Sequence, residues 1–185
     1  MCGRVDFSWD VYDPAVMRLR AILTERFPGR AVPSGEVSPG TALPLLVAGG
    51  KKADVAFLCW GIPLSDGKLL INARAETAAQ KPMFRGALAA RRCALLTTGF
   101  YEWNAEKKKF RFRLPDSASL YLAGLYDEQG RFVVLTRAAN ESMAEVHDRM
   151  PVVLPGKEVL PWLGGSQAEP FLSAPGPLLS REEAV

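Results

Sequence analysis

Lys109-Phe110-Arg111-Phe112-Arg113-Leu114 alternates a base with an apolar residue along its whole length. Successive side chains of an extended strand point to opposite faces, so period two puts one face in water and the other on a core. The stretch reads as a half-buried antiparallel strand with its bases outward. Phe100 to Trp103 lies just upstream, across an Asn/Glu/Lys turn, and is the natural hairpin partner. Downstream, strands are expected at 119–125 and 131–136, with Glu128-Gln129-Gly130 as the turn, and at Val152 to Leu154. Upstream, 42–47, 54–60 and Cys93 to Thr98 have strand composition, and Leu69-Leu70-Ile71 runs straight into Asn72.

Helices are fewer. Asp13-Pro14 supplies an N-cap and a first-turn proline, and Val16, Leu19, Leu23 and Phe27 follow at helical spacing until Pro28-Gly29 stops them. Pro82 to Arg92 reads as a helix with Phe84, Leu88 and Ala89 inward. Asn140 reads as the cap of a short helix ending near Val146, and a last helix is expected near Lys157 to Leu163. Residues 30–41 read as a loop, and the tail 164–185 as a loose or truncated segment. Many short strands with few helices argue for one α+β domain over residues 1–185, largely antiparallel.

Composition narrows the function classes. With 185 residues, 48% hydrophobic and 23% charged, the chain is an ordinary globular one, which excludes wholesale disorder. Sixteen glycines and 14 prolines argue against a helical bundle. Three scattered cysteines, Cys2, Cys59 and Cys93, give neither a disulfide framework nor zinc spacing, and free thiols fit a reducing cytoplasm. A single histidine, His147, excludes a His-rich metal centre. The longest apolar run, Ala42 to Ala48, is broken by Pro44 and too short for a membrane span. Net charge is +3, yet Lys81 to Arg113 holds nine bases against two acids. That asymmetry suits an anionic partner such as nucleic acid, or a solvated face.

Four segments could carry chemistry. Methionine before a small residue is normally trimmed, which would leave Cys2 as the first residue. An N-terminal cysteine carries an amine and a thiol that both titrate near neutrality, so it can attack an amide or capture an aldehyde as a thiazolidine. Glu102, in Gly99-Phe100-Tyr101-Glu102-Trp103, sits among aromatics on a strand, which suits a partly buried acid to proton transfer. His147 lies in His147-Asp148-Arg149-Met150-Pro151, where Asp148 could orient a neighbour and Pro151 stiffens the loop. Asn72 and Arg74 leave a buried-looking strand, with Asn suited to a carbonyl and Arg to phosphate. Each has a plainer reading: a frayed terminus, a surface glutamate, a loop histidine, an Asx turn.

Taken in order, Met1-Cys2-Gly3-Arg4, Ser38-Pro39-Gly40-Thr41, Trp60-Gly61, Ile71 to Thr77, Gly99 to Trp103 and Val146 to Pro151 resemble the SOS response-associated peptidase (SRAP) domain, the family of abasic-site-processing proteins. The resemblance implies a compact, barrel-like β-rich fold, a basic channel for single-stranded DNA, removal of Met1, and a thiazolidine crosslink from Cys2 to the opened sugar of an abasic site. It matches Asn72 to holding the Cys2 terminus, Glu102 to a proton shuttle, and His147 to an acid/base at the sugar or phosphate, with possible lyase activity. Gly3, Arg4, Pro39, Arg74, Met83, Phe84 and Arg149 match DNA contacts. The expected partner is single-stranded DNA containing abasic sites. The chain is expected to act as a cytoplasmic monomer, nucleoid-associated in a bacterium, with no metal, cofactor or membrane. The alternatives are a self-processing peptidase using Cys2 and a non-catalytic DNA-binding module. Three features depart from the family pattern: Glu36 stands before the Pro39-Gly40 turn, where it would repel phosphate if it faced the channel. The loop after Gly61 is short, and the usual C-terminal stretch has no clear counterpart.

Overall fold

The computed structural model describes residues 2–165 and 167–184. Its elements in chain order are β1 (Arg4–Phe7), α1 (Pro14–Arg26), β2 (Gly35–Val37), β3 (Ala42–Gly49), β4 (Lys52–Trp60), β5 (Ile62–Pro63), β6 (Leu69–Leu70), β7 (Asn72–Arg74), α2 (Ala75–Ala78) and α3 (Pro82–Ala90). There follow β8 (Arg92–Thr97), β9 (Gly99–Trp103), β10 (Lys109–Arg113), β11 (Leu120–Tyr126), β12 (Arg131–Ala138), β13 (Arg149–Pro151), β14 (Val153–Leu154), α4 (Val159–Gly164), α5 (Glu169–Ser173) and β15 (Ser180–Ala184).

The strands form a ring and a lid. β12, β4, β3, β8 and β11 pair in that order, and β11 pairs back onto β12, which closes a barrel-like ring. Its pairings are antiparallel except β4–β12. Gly124 marks one tight point of closure: a Cβ there would sit 2.8 Å from the Val133 carbonyl and 2.9 Å from the Cys93 sulfur. The second sheet runs β15-β10-β9-β1-β2, all antiparallel. The α+β, barrel-like architecture expected above is the one observed.

Alternation decides which side chains fill which space. Leu43, Leu45, Cys93, Leu95, Leu122, Phe132 and Val134 point to a core shared with Val5, Phe100 and Phe112 of the second sheet. Phe100 and Phe112 stack at 5.3 Å with planes 14° apart. The alternate ring residues Ala94, Ala123, Val133 and Leu135 face the other way, under Phe84, Leu88 and Trp162 of the covering helices. α1 covers a third patch through Val16, Leu19 and Leu23, its N-terminus capped by Asp13, whose carboxylate accepts from the Ala15 and Val16 amides. Among the described residues no helix is long and apolar enough to cross a membrane.

Several expectations change. The segment ending at Val146 forms consecutive turns, not a helix: the Met143 and Ala144 amides both donate to the Asn140 carbonyl, and the Asn140 carboxamide bonds back to Ser142 and to the carbonyls of Gly176 and Pro177. β1 and β2 were not read from sequence. The tail expected to be loose contains α5 and β15, and β15 pairs with all five residues of β10. Two arginines hold it as well: Arg92 donates to the Gly165 carbonyl and Arg137 to that of Phe171 at 2.6 Å. The basic stripe on β10 is also not a free cationic face. Lys109 meets Glu36 at 2.6 Å, Arg111 meets Asp6 and Glu182, and Arg113 meets Glu182 at 3.2 Å.

Candidate functional site

Cys2 lies just before β1 and is 1% exposed. β1 pairs with β9 in the register Arg4↔Tyr101 and Val5↔Phe100, which carries Glu102 up to the Cys2 end of the strand. Glu102 is 4% exposed and lies on the same side of β9 as Phe100, facing the core. β7 approaches from the ring. It pairs in parallel with β12, Asn72 opposite Val134, so the Asn72 side chain enters the shared core. There its Nδ2 donates to the Cys2 carbonyl at 3.0 Å. The Oδ1 of the same carboxamide is buried with no hydrogen-bond partner among the described residues. The fold thus brings Cys2, Asn72 and Glu102 together from three separate stretches.

The electrostatics at Cys2 favour the thiol over the thiolate. Burial pushes its pKa well up, and the negative charge of Glu102 adds to this; the thiol also makes a weak contact to the Arg4 carbonyl, at 4.0 Å.

His147 enters on the loop into β13, and its side chain is about a quarter exposed. Its Nδ1 accepts the Arg149 amide at 2.9 Å and lies 2.8 Å from Asp148 Oδ1. β13 pairs with β12, and β12 with β7, so the loop that carries His147 leads into a strand that shares a neighbour with the strand of Asn72.

The expected DNA contacts divide. Arg4 and Arg74 are exposed, at the start of β1 and the end of β7, and Met83 is exposed at the start of α3. Gly3 adjoins Cys2 and is partly buried. Pro39 lies in a turn completed by Gly40, whose φ of 88° favours glycine and whose amide donates to the Trp60 carbonyl at 2.7 Å. Phe84 points inward, 5% exposed, in the core beneath α3. Arg149 is already occupied: its guanidinium grips Glu76 in both forks, at 2.7 and 2.8 Å, and donates to the Thr136 carbonyl at 2.7 Å. Glu36 is not a bare charge either, since Lys109 and, at 3.8 Å, Arg4 both lie against it. Glu76 had no role in the sequence reading. Its only signal was its place in the Ile71 to Thr77 motif, because the arginine that defines it is far away in the chain.

A family model described as SOS response associated peptidase (SRAP) matches residues 1–178. The chain belongs to the SRAP family. Among its relatives, the Bacillus subtilis abasic site processing protein YoaM is 33% identical, over 92% of this chain and 82% of YoaM. The Escherichia coli abasic site processing protein YedK is 29% identical, over 88% of this chain and 79% of YedK. The Xenopus tropicalis abasic site processing protein HMCES is 30% identical over half of this SRAP chain and 37% of its own length. A crystal structure of a protein from Bordetella bronchiseptica superposes with a TM-score of 0.78 and 24% identity over the whole of both chains, which speaks to the SRAP fold.

Proposed function

We propose that this SRAP chain processes abasic sites in single-stranded DNA by a covalent link from Cys2, formed after Met1 is removed. The observation that carries the reading is the hold of Asn72 on the Cys2 carbonyl with Glu102 beside the thiol, in a chain similar to proteins named for abasic site processing. Removing Met1 creates an α-amine on Cys2. As an ammonium next to the sulfur it opposes the two influences that raise the thiol, burial and Glu102. The unpartnered Asn72 Oδ1 is an acceptor suited to that new amine.

The bond changes follow. The opened sugar presents an aldehyde. The amine attacks it, one water leaves, and an imine forms. The Cys2 sulfur then adds to the imine carbon, making a C–S bond, and the thiol proton passes to the nitrogen, giving a thiazolidine. Glu102 serves as the proton carrier for these transfers, and His147 acts at the sugar or phosphate. Arg4 and Arg74 are the exposed cations next to Cys2 and Asn72, and they pair with backbone phosphates, a binding that weakens with salt.

The test is incubation of the purified protein with a single-stranded oligonucleotide carrying one abasic site, followed by denaturing electrophoresis and intact-mass measurement. The expected product has the mass of the Met1-less protein plus the oligonucleotide, less one water. Cys2→Ala should give none. A wild type without this product, or a Cys2→Ala chain that still makes it, refutes the reading.

A further inference from the structure

We propose that Glu76 is a positioning residue for His147, acting through Arg149; the proposal rests on His147 being the acid/base group named above. Glu76 lies in the first turn of α2, directly after the strand that carries Asn72. Arg149 begins β13, two residues after His147. The Glu76–Arg149 pair is bidentate, and the Glu76 carboxylate also accepts the Ala138 amide at 3.3 Å. Arg149 donates in addition to the Thr136 carbonyl, and its side chain is only 14% exposed. A planar guanidinium held at two forks has little freedom left. The backbone of Arg149 is therefore fixed where its N–H points at His147 Nδ1.

That hydrogen bond decides where the ring proton sits. A ring nitrogen that accepts a hydrogen bond carries no proton, so the neutral ring holds its proton on Nε2. Asp148 Oδ1, 2.8 Å from the same Nδ1, asks for the opposite: a carboxylate there draws a proton onto Nδ1. The amide and the carboxylate compete for one atom, and the amide keeps it while Arg149 is held. Glu76 thus selects the Nε2-protonated ring and fixes its orientation. The brace survives across the working pH range, because the Arg149 hydrogen bonds hold the Glu76 carboxyl down at about 2.

One histidine in the chain makes the test direct. With ¹⁵N-labelled histidine, NMR at a pH where the ring is neutral reads a single imidazole and needs no DNA. Wild type should show the Nε2-protonated form alone. Glu76→Ala should show a mixture of both tautomers, and Glu76→Gln, which keeps one oxygen for Arg149, should lie between. With an abasic oligonucleotide, Glu76→Ala should slow product formation about 10- to 100-fold, since a misplacement of about 1 Å can cost about 100-fold. In a His147→Ala background the same change should cost under about twofold, since the effect runs through His147. Thermal melting of each variant confirms folding, and Glu76→Gln stands in if the alanine variant does not fold. An unchanged ring spectrum in a folded Glu76 variant overturns the proposal, and so does an equal slowing with and without His147. A wild type that forms no adduct refutes the crosslinking function instead, and leaves the tautomer result to decide the brace.

Discussion

Arg111→Leu isolates the contact that anchors the strand leading out of Cys2. Asp6 on β1 is 7% exposed, and its carboxylate accepts from the Arg111 guanidinium and from the Thr98 hydroxyl at 3.0 Å. Its carbonyl takes the Thr98 amide at 2.9 Å. Leucine keeps much of the apolar stem but leaves the carboxylate buried without its countercharge, a change that costs about 3–5 kcal/mol. The Arg111 side chain is 22% exposed, so water reaches part of the site and the lower end, about 3 kcal/mol, is expected. The second contact of Arg111, to Glu182 at 3.2 Å, is open to solvent and adds under about 1 kcal/mol. Urea unfolding is the assay: at a slope of about 2 kcal/mol per molar, the midpoint should fall by about 1.5 M. Adding Asp6→Asn removes the stranded charge while keeping an acceptor for Thr98, so the double variant should recover about 1–2 kcal/mol. A single-variant loss below about 1 kcal/mol, or a double variant whose cost is the simple sum, would refute the picture of a buried, mutually dependent pair.

Acid should weaken the Glu76 brace over a narrow window. The folded-state pKa of Glu76, about 2, lies below its unfolded value, so its contribution is present above the ordinary carboxylate range and is lost as pH falls through about 2. Glu76 is 48% exposed, so screening holds the effect to about 1 kcal/mol, and Glu76→Gln should flatten that part of a stability–pH curve measured between about pH 5 and 2. Thiol alkylation followed by mass spectrometry should label Cys59 first. Cys59 is partly exposed, whereas Cys2 and Cys93 are buried with their thiols pushed up by burial. Native-state labelling of Cys93 as fast as Cys59 would contradict the packing of the ring.

What was legible in the sequence was local. The alternation from Lys109 to Leu114 needs only its own residues to announce a strand, and Phe112 is fully buried as that period demands. The cap and stripe of α1 are equally self-contained. β1 was missed because Arg4-Val5-Asp6-Phe7 carries charges whose partners, Arg111 and Glu36, come from other strands. The excess of bases between Lys81 and Arg113 is partly balanced in space for the same reason: the acids that meet Lys109, Arg111 and Arg113 lie in β1, β2 and β15. At the site, Cys2, Asn72 and Glu102 were named from their motifs, yet only the pairing of β1 with β9 and of β7 with β12 puts them side by side. Phe84 and Leu88 were read as the inward face of α3 from their helical spacing, and both are buried beneath it.

The lid sheet holds strands from opposite ends of the described chain, β1 next to β9 and β15 beyond β10. A ribosome delivers Cys2 long before β7 and β9, the strands that come to lie beside it. Until those strands are made the Cys2 thiol is open to the solvent, and the finished fold leaves Cys2 only 1% exposed. Burial of the thiol is therefore a late event, complete only when the lid sheet has closed. Slowing the closure of the lid would keep the Cys2 thiol open to solvent for longer.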